Sequence, residues 1–160
     1  MRALFFFATI ILAGCSQPNN TEQLNAKIDS LQQQLNNTYK PRFGEVMLNI
    51  QMHHAKLWFA GINDNWKLAA FEIDEIKEAI DDIQKYDSER AESKSISMIN
   101  GSMDSIATAI QQKDVLQFKN SFILLTNTCN NCHRATNHEF NVVTVPTALP
   151  VVNQNFKGAH

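Results

Sequence analysis

Residues 44 to 140 contain no proline, and this feature constrains the fold more than any other. Proline breaks the interior of an α-helix, so its absence over such a length favours long helices. Apolar residues recur along the stretch at spacings of three and four, which is typical of helices that turn one face to a core. The 160 residues, 44% of them hydrophobic, suffice for one domain with a buried core.

Four apolar stripes predict helices over about residues 43–60, 65–86, 89–112 and 114–136. Gly61 and the INDN after it are interpreted as the break between the first two. Short connections make consecutive helices antiparallel, so the predicted fold is all-α, an up-down-up-down four-helix bundle. The predicted inward residues are Phe43, Met47, Ile50, His54, Leu57, Trp66, Ala69, Ile73, Ile76, Ile80, Ile83, Ile96, Ile99, Met103, Ile106, Ile110, Val115, Phe118, Phe122, Leu125, Cys129 and Cys132.

Two further segments flank this bundle, which is assigned residues 42–137. Upstream, residues 22–39 predict a short heptad-like helix that ends before Pro41. That helix either self-associates as a stalk or packs on the domain. Downstream, residues 138–160 are rich in β-branched residues and include two prolines, which predicts an extended tail across the bundle surface. The heptad positions of the upstream helix are Leu24, Ile28, Leu31 and Leu35.

Residues 1–14 combine one basic residue with a short apolar run, as a signal peptide does. The LAGC at residues 12–15 resembles a bacterial lipobox, which implies cleavage before Cys15 and a diacylglycerol on its thiol. A plain signal peptide is the alternative. The lipobox predicts an exported protein that residues 15–41 tether to the inner or outer membrane on its periplasmic side.

The sequence CNNCH at residues 129–133 matches the signature of covalent c-type haem attachment. Cys129 and Cys132 lie one helical turn apart, so their thiols can add to the two vinyl groups on one edge of a porphyrin. His133 then ligates the iron from one side. Because both cysteines extend the inward stripe of the last helix, haem c is predicted to lie partly inside the bundle.

Three other interpretations of the cysteine pair stay open. Outside the cytosol the two thiols could form a disulfide. A thioredoxin-like motif should open a helix within a βαβ unit, whereas this one lies near a helix end. A zinc site needs four ligands, which His133 and His138 would complete only with poor spacing.

The chain resembles the cytochrome c prime type of haem protein over about residues 43–136. Those proteins are four-helix bundles with a CxxCH motif near the end of the last helix, where Cys129, Cys132 and His133 lie here. The resemblance does not extend to the upstream heptad-like helix or to the tail. It implies one covalent haem and a histidine axial ligand.

The residue opposite His133 decides the chemistry of the iron. Antiparallel packing that pairs residue 61 with residue 114 places His133 at the level of residue 42. Met47 is then ~7 Å away along the axis and His54 ~18 Å away. Met47 is therefore the candidate second axial ligand, with an ordinary core methionine as the alternative. His54 is a pocket contact or a less favoured ligand.

Three functions follow from these alternatives. Iron held by histidine and methionine transfers electrons to a redox partner that the sequence does not identify. Five-coordinate iron binds small gases, and a Cys129–Cys132 disulfide would make the chain a structural lipoprotein without haem. No acid–base pair is evident, so an electron carrier is preferred to an enzyme.

The net charge of −2 does not indicate a protein that binds nucleic acid. The acidic face of the second predicted helix is either solvated or docks a basic partner, and its residues are Glu72, Glu75, Glu78, Asp81 and Asp82.

Overall fold

The computed structural model describes residues 20–36 and 42–158, and within these ranges the chain is all-helical with no strand, as predicted. The predicted signal peptide, the lipidation site Cys15 and His160 lie outside the described residues. The helices are α1 (Asn20–Asn36), α2 (Phe43–Ile62), α3 (Trp66–Tyr86), α4 (Ala91–Ser95), α5 (Asn100–Gln112) and α6 (Val115–Ala135), with a 3-10 helix, Ile96–Ile99, between α4 and α5.

Three of the helix ends use the same chain reversal, with a non-glycine residue in the left-handed region. These residues are Asp64 after α2, Lys113 after α5 and Asn137 after α6. In each case the next backbone N–H bonds back to the carbonyl five residues earlier, which closes the helix end. Asn65 and Asp114 follow two of these turns and cap the next helices, α3 and α6, with their side-chain oxygens.

Gly61 does not break the first long helix, contrary to the prediction. It lies inside α2, which continues to Ile62, and the break is the turn at Asp64. The ring of Phe118 in α6 lies directly against the Gly61 backbone, where a Cβ would overlap it. Glycine at this position therefore serves the close approach of two helices rather than a turn.

One hydrophobic core is shared by α2, α3, α5, α6 and the 3-10 helix. The predicted inward residues are buried in it, except that Phe43, Met47, Trp66, Val115, Cys129 and Cys132 are only partly buried. The third predicted helix is interrupted by the 3-10 helix, whose tighter winding lets Ile96 and Ile99 face the core together.

Helix α1 belongs to a unit separate from the later helices. Its four heptad residues are all exposed, at 47 to 71% of their surface: Leu24, Ile28, Leu31 and Leu35. Among the described residues, no helix is long and apolar enough to cross a membrane.

Residues 138–158 have no helix or strand and run from the end of α6 to the turn between α2 and α3. Near its far end, Phe156 is buried against the ring of Phe59, at 5.8 Å between centroids. The Asn65 side chain donates to the Lys157 carbonyl at 3.2 Å. The tail valines are covered only in part, since Val145 packs on the core whereas Val142 and Val152 are exposed.

Candidate cofactor-attachment site

The last two turns of α6 carry both cysteines of the CNNCH motif as free thiols. Cys129 continues the buried stripe of Phe122 and Leu125 and packs against the core. Cys132, one turn later, is partly buried. The helical spacing thus presents two thiols on adjacent turns of one helix, as attachment to one edge of a planar cofactor requires.

Burial makes both thiols weaker acids than an exposed cysteine. It raises the pKa of the Cys129 thiol to about 12, with a smaller contribution from the charge of Cys132. The Cys129 residue keeps some exposed surface, but its sulfur is enclosed by protein. The pKa depends on the surroundings of the sulfur, because that atom carries the charge of the thiolate. Burial also raises the pKa of Cys132, and the nearby Glu92 carboxylate adds to the effect. Both side chains are therefore neutral thiols at neutral pH.

His133, the last residue of the motif, makes its hydrogen bond to the tail. Its Nδ1 lies 2.6 Å from the Asn141 carbonyl oxygen. A carbonyl can only accept, so Nδ1 donates, and in the neutral ring Nε2 carries the lone pair. Nε2 makes no hydrogen bond within the described part of the chain, which leaves it able to bind a metal ion.

The first asparagine of the motif binds the tail as well. The Asn130 side chain donates to the Val143 carbonyl at 2.8 Å and accepts from the Val143 N–H at 2.8 Å. The second asparagine, Asn131, instead accepts from the Arg134 guanidinium. No signal in the sequence distinguishes these two identical neighbouring side chains, because the difference depends on where the tail returns to α6.

His54 is buried in the core, where its ring lies 4.4 Å from that of Phe122. Its Nε2 is 2.9 Å from Thr126 Oγ1, whose own hydrogen goes to the Phe122 carbonyl. Nε2 of His54 is therefore the donor, the opposite tautomer to His133. Burial lowers the pKa of His54 to about 4, so the ring is neutral at neutral pH. Its role as a ligand or pocket contact stays a prediction.

The register of α2 against α6 differs from the predicted one by about one helical turn. Gly61 meets Phe118, not residue 114, and His54 meets Thr126. Continuing these pairs places residue 47 at the level of His133. Met47 is partly buried and packs on the core. His54 is seven residues from that level, or ~10 Å along the axis.

A buried ionic cluster between α2 and α3 was not predicted. Glu72, assigned to the acidic outer face, is instead fully buried. His53 Nδ1 lies 2.6 Å from its Oε2 and Lys56 Nζ lies 2.9 Å from its Oε1. The lysine contact lacks hydrogen-bond geometry, so Oε1 has no hydrogen-bond donor among the described residues. The remaining predicted acidic residues are exposed or partly exposed: Glu75, Glu78, Asp81 and Asp82.

The surroundings of the motif do not assemble a zinc site. Within residues 20–36 and 42–158, no three histidine, cysteine, aspartate or glutamate side chains come together as metal ligands. His138 Nδ1 donates to the Thr136 carbonyl at 2.7 Å, and its Nε2 is 4.0 Å from the Glu92 carboxylate. The two free thiols would instead suit covalent attachment of a haem, and the available nitrogen of His133 would suit its iron.

Comparison of the chain with protein-family models, curated proteins and solved structures found no match.

Proposed function

We propose that this protein is an exported, lipid-anchored monohaem cytochrome c that transfers electrons. The observation that carries the proposal is the pair of free thiols on the last two turns of α6, followed directly by a histidine whose Nε2 is available. Among the described residues these are the only two cysteines, so no second thiol pair competes for the assignment.

Attachment would join the thiols of the two cysteines to the two vinyl groups of the porphyrin. At each vinyl group the S–H bond breaks, sulfur bonds to the inner carbon and hydrogen goes to the terminal carbon. Nothing leaves, so the chain gains the mass of one haem. Cys129 and Cys132 would hold the ring, and His133 Nε2 would bind its iron, which when bound supplies a centre that alternates between ferrous and ferric states.

The surrounding helices are proposed to form the up-down-up-down bundle. Gly61 contacts Phe118, and His54, earlier in α2, contacts Thr126, later in α6. This pairing supports an antiparallel arrangement of the two helices. The two-residue connection Lys113–Asp114 and the three residues 63–65 favour antiparallel neighbours elsewhere. Such a bundle leaves the motif at one end of a shared apolar core.

Met47 is the proposed second axial ligand, because the register of α2 on α6 brings it level with His133. A thioether ligand raises the reduction potential and keeps the coordination similar in both oxidation states, as electron transfer favours. His54 is proposed as a pocket residue, since its Nε2–H is already given to Thr126.

The lipobox-like sequence supports export and lipid attachment at Cys15, on the periplasmic side of either membrane. The redox partner stays unidentified. The exposed heptad positions of α1 support self-association through residues 22–39.

Expression in a host with intact haem-attachment machinery tests the proposal. The intact mass of the mature chain should contain one haem, and Cys129→Ser with Cys132→Ser should abolish that increment. Cys15→Ser is the matched control, which should lose the lipid and keep the haem. A mature chain no heavier than its lipidated polypeptide would overturn the proposal.

A further inference from the structure

The tail reaches the histidine of the motif through one backbone carbonyl. Asn141 supplies that carbonyl, 2.6 Å from His133 Nδ1. The chain comes back to this position through the reversal at Asn137, whose φ is 60°. The Asn141 N–H donates to the His138 carbonyl at 2.9 Å, which fixes the peptide on its near side.

On its far side the same stretch of tail is held by Asn130. The two hydrogen bonds between the Asn130 side chain and the Val143 backbone, here named the tail clamp, are both 2.8 Å long. Two parallel bonds to one residue restrict both its position and its orientation. The Asn141 carbonyl therefore lies between two fixed points, one of them inside the CNNCH motif itself.

We propose that Asn130 and the Asn141 carbonyl are positioning groups that set the orientation and basicity of His133 as an iron ligand. This inference rests on the proposed function. A hydrogen bond from the non-ligating nitrogen of an imidazole fixes its tautomer and ring orientation and makes the ligating nitrogen more basic. A more basic ligand favours ferric iron, so the tail clamp lowers the reduction potential.

The tail does not depend on the clamp to stay attached. Phe156 is buried against Phe59, and Asn65 holds the Lys157 carbonyl at the opposite end of the tail. Breaking the clamp should therefore loosen the stretch around Asn141 without releasing the whole tail. This separates an effect on His133 from a general loss of structure.

The test compares Asn130→Ala with Asn131→Ala, a matched control in the same motif whose side chain bonds to Arg134 instead of the tail. In the haem-free chain, nitrogen NMR should show less of the Nδ1–H tautomer of His133 in Asn130→Ala but not in Asn131→Ala. His54, with Nε2–H, is an internal reference. In the haem-loaded protein, Asn130→Ala should shift the reduction potential upward, and Asn131→Ala should leave it unchanged.

A second variant weakens the acceptor and leaves Asn130 unchanged, at the cost of the Val142 N–H. Replacing the Asn141–Val142 peptide bond with an ester weakens the Asn141 carbonyl as an acceptor and leaves every side chain in place; it should also shift the potential upward. Asn130→Ala and ester variants that keep the wild-type tautomer when haem-free and the wild-type potential when haem-loaded would overturn this inference alone. A chain without haem would overturn the proposed function as well, so the two failures are distinguishable by mass.

Discussion

His54 of α2 donates a hydrogen bond to Thr126 of α6 across the buried contact between the two helices, with Nε2 2.9 Å from Oγ1. The Thr126 hydroxyl in turn donates a hydrogen bond to the Phe122 carbonyl. The pair thus satisfies a polar side chain inside an apolar core and fixes its tautomer. It also sets the register of α2 against α6 at this contact.

The first prediction concerns acid destabilisation. The pKa of His54 is lowered from 6.5 to about 4 by burial, so between these values the unfolded chain binds the proton that the folded chain refuses. The contribution of neutral His54 to the free energy of unfolding is fully present above pH 6.5. It is lost as the pH falls towards 4, by up to about 3 kcal/mol. Denaturant unfolding of the haem-free chain across this window should show a shallower pH dependence in His54→Gln. Identical slopes would contradict the assignment.

The second prediction concerns the contact of α2 with α6. Gly61→Ala should destabilise the domain by about 2 kcal/mol, because its new Cβ overlaps the Phe118 ring and must displace it. Gly101→Ala in α5 is the control, since its Cβ meets nothing, and it should stabilise slightly. Thermal unfolding measures both, and equal melting temperatures would argue against so close an approach of the two helices.

The third prediction concerns the thiols before haem attachment. Since the pKa of Cys129 is about 12, its thiolate is scarce at pH 8, and it is more enclosed than Cys132. Iodoacetamide should therefore label Cys132 well before Cys129 in the folded haem-free chain. Peptide mass spectrometry reads the order, and labelling in denaturant should remove the difference. Faster labelling of Cys129 in the native chain would contradict its burial.

The fourth prediction concerns the buried carboxylate. Lys56→Met should cost about 2 kcal/mol, because it leaves the Glu72 charge buried without its cation. Lys67→Met is the control, as Lys67 is exposed at the start of α3. Chemical denaturation measures both variants. A similar small effect of the two would show that Lys56 does not compensate Glu72.

The fifth prediction concerns the far side of the iron. Met47→Ala should convert low-spin haem to high-spin in the absorption spectrum, because it removes the proposed sixth ligand. Met52→Ala, on the more exposed side of the same helix, should leave the spectrum unchanged. A low-spin Met47→Ala protein would exclude Met47 as the ligand, whereas high-spin wild type that binds carbon monoxide would favour gas binding.

Local signals in the sequence were enough for most helix bounds. Asn65 and Asp114 cap their helices with their own side chains, so the starts of α3 and α6 differ from prediction by one residue. Relations between distant residues could not be found in this way. Glu72 has the periodicity of a solvated carboxylate, and only His53 and Lys56 on another helix explain its burial.

In the candidate site, too, local features could be predicted and contacts between distant residues could not. The spacing of Cys129, Cys132 and His133 is visible in the sequence, and the structure keeps them on one helix. The predicted register of α2 on α6 was wrong by a turn, because the register depends on how Phe118 fits over Gly61 rather than on level helix ends. The bond from His133 to Asn141 depends on a chain reversal at Asn137 that no sequence pattern indicated.

The tail of residues 138–158 divides the contacts of the CNNCH motif between two parts of the sequence. Both thiols and the imidazole belong to α6, whereas the carbonyl that accepts from His133 Nδ1 belongs to Asn141, beyond the end of that helix. A chain truncated after Thr136 would therefore keep Cys129, Cys132 and His133 and lose the hydrogen bond to Nδ1. Truncation at this point separates the residues proposed to attach a cofactor from the group that orients the imidazole.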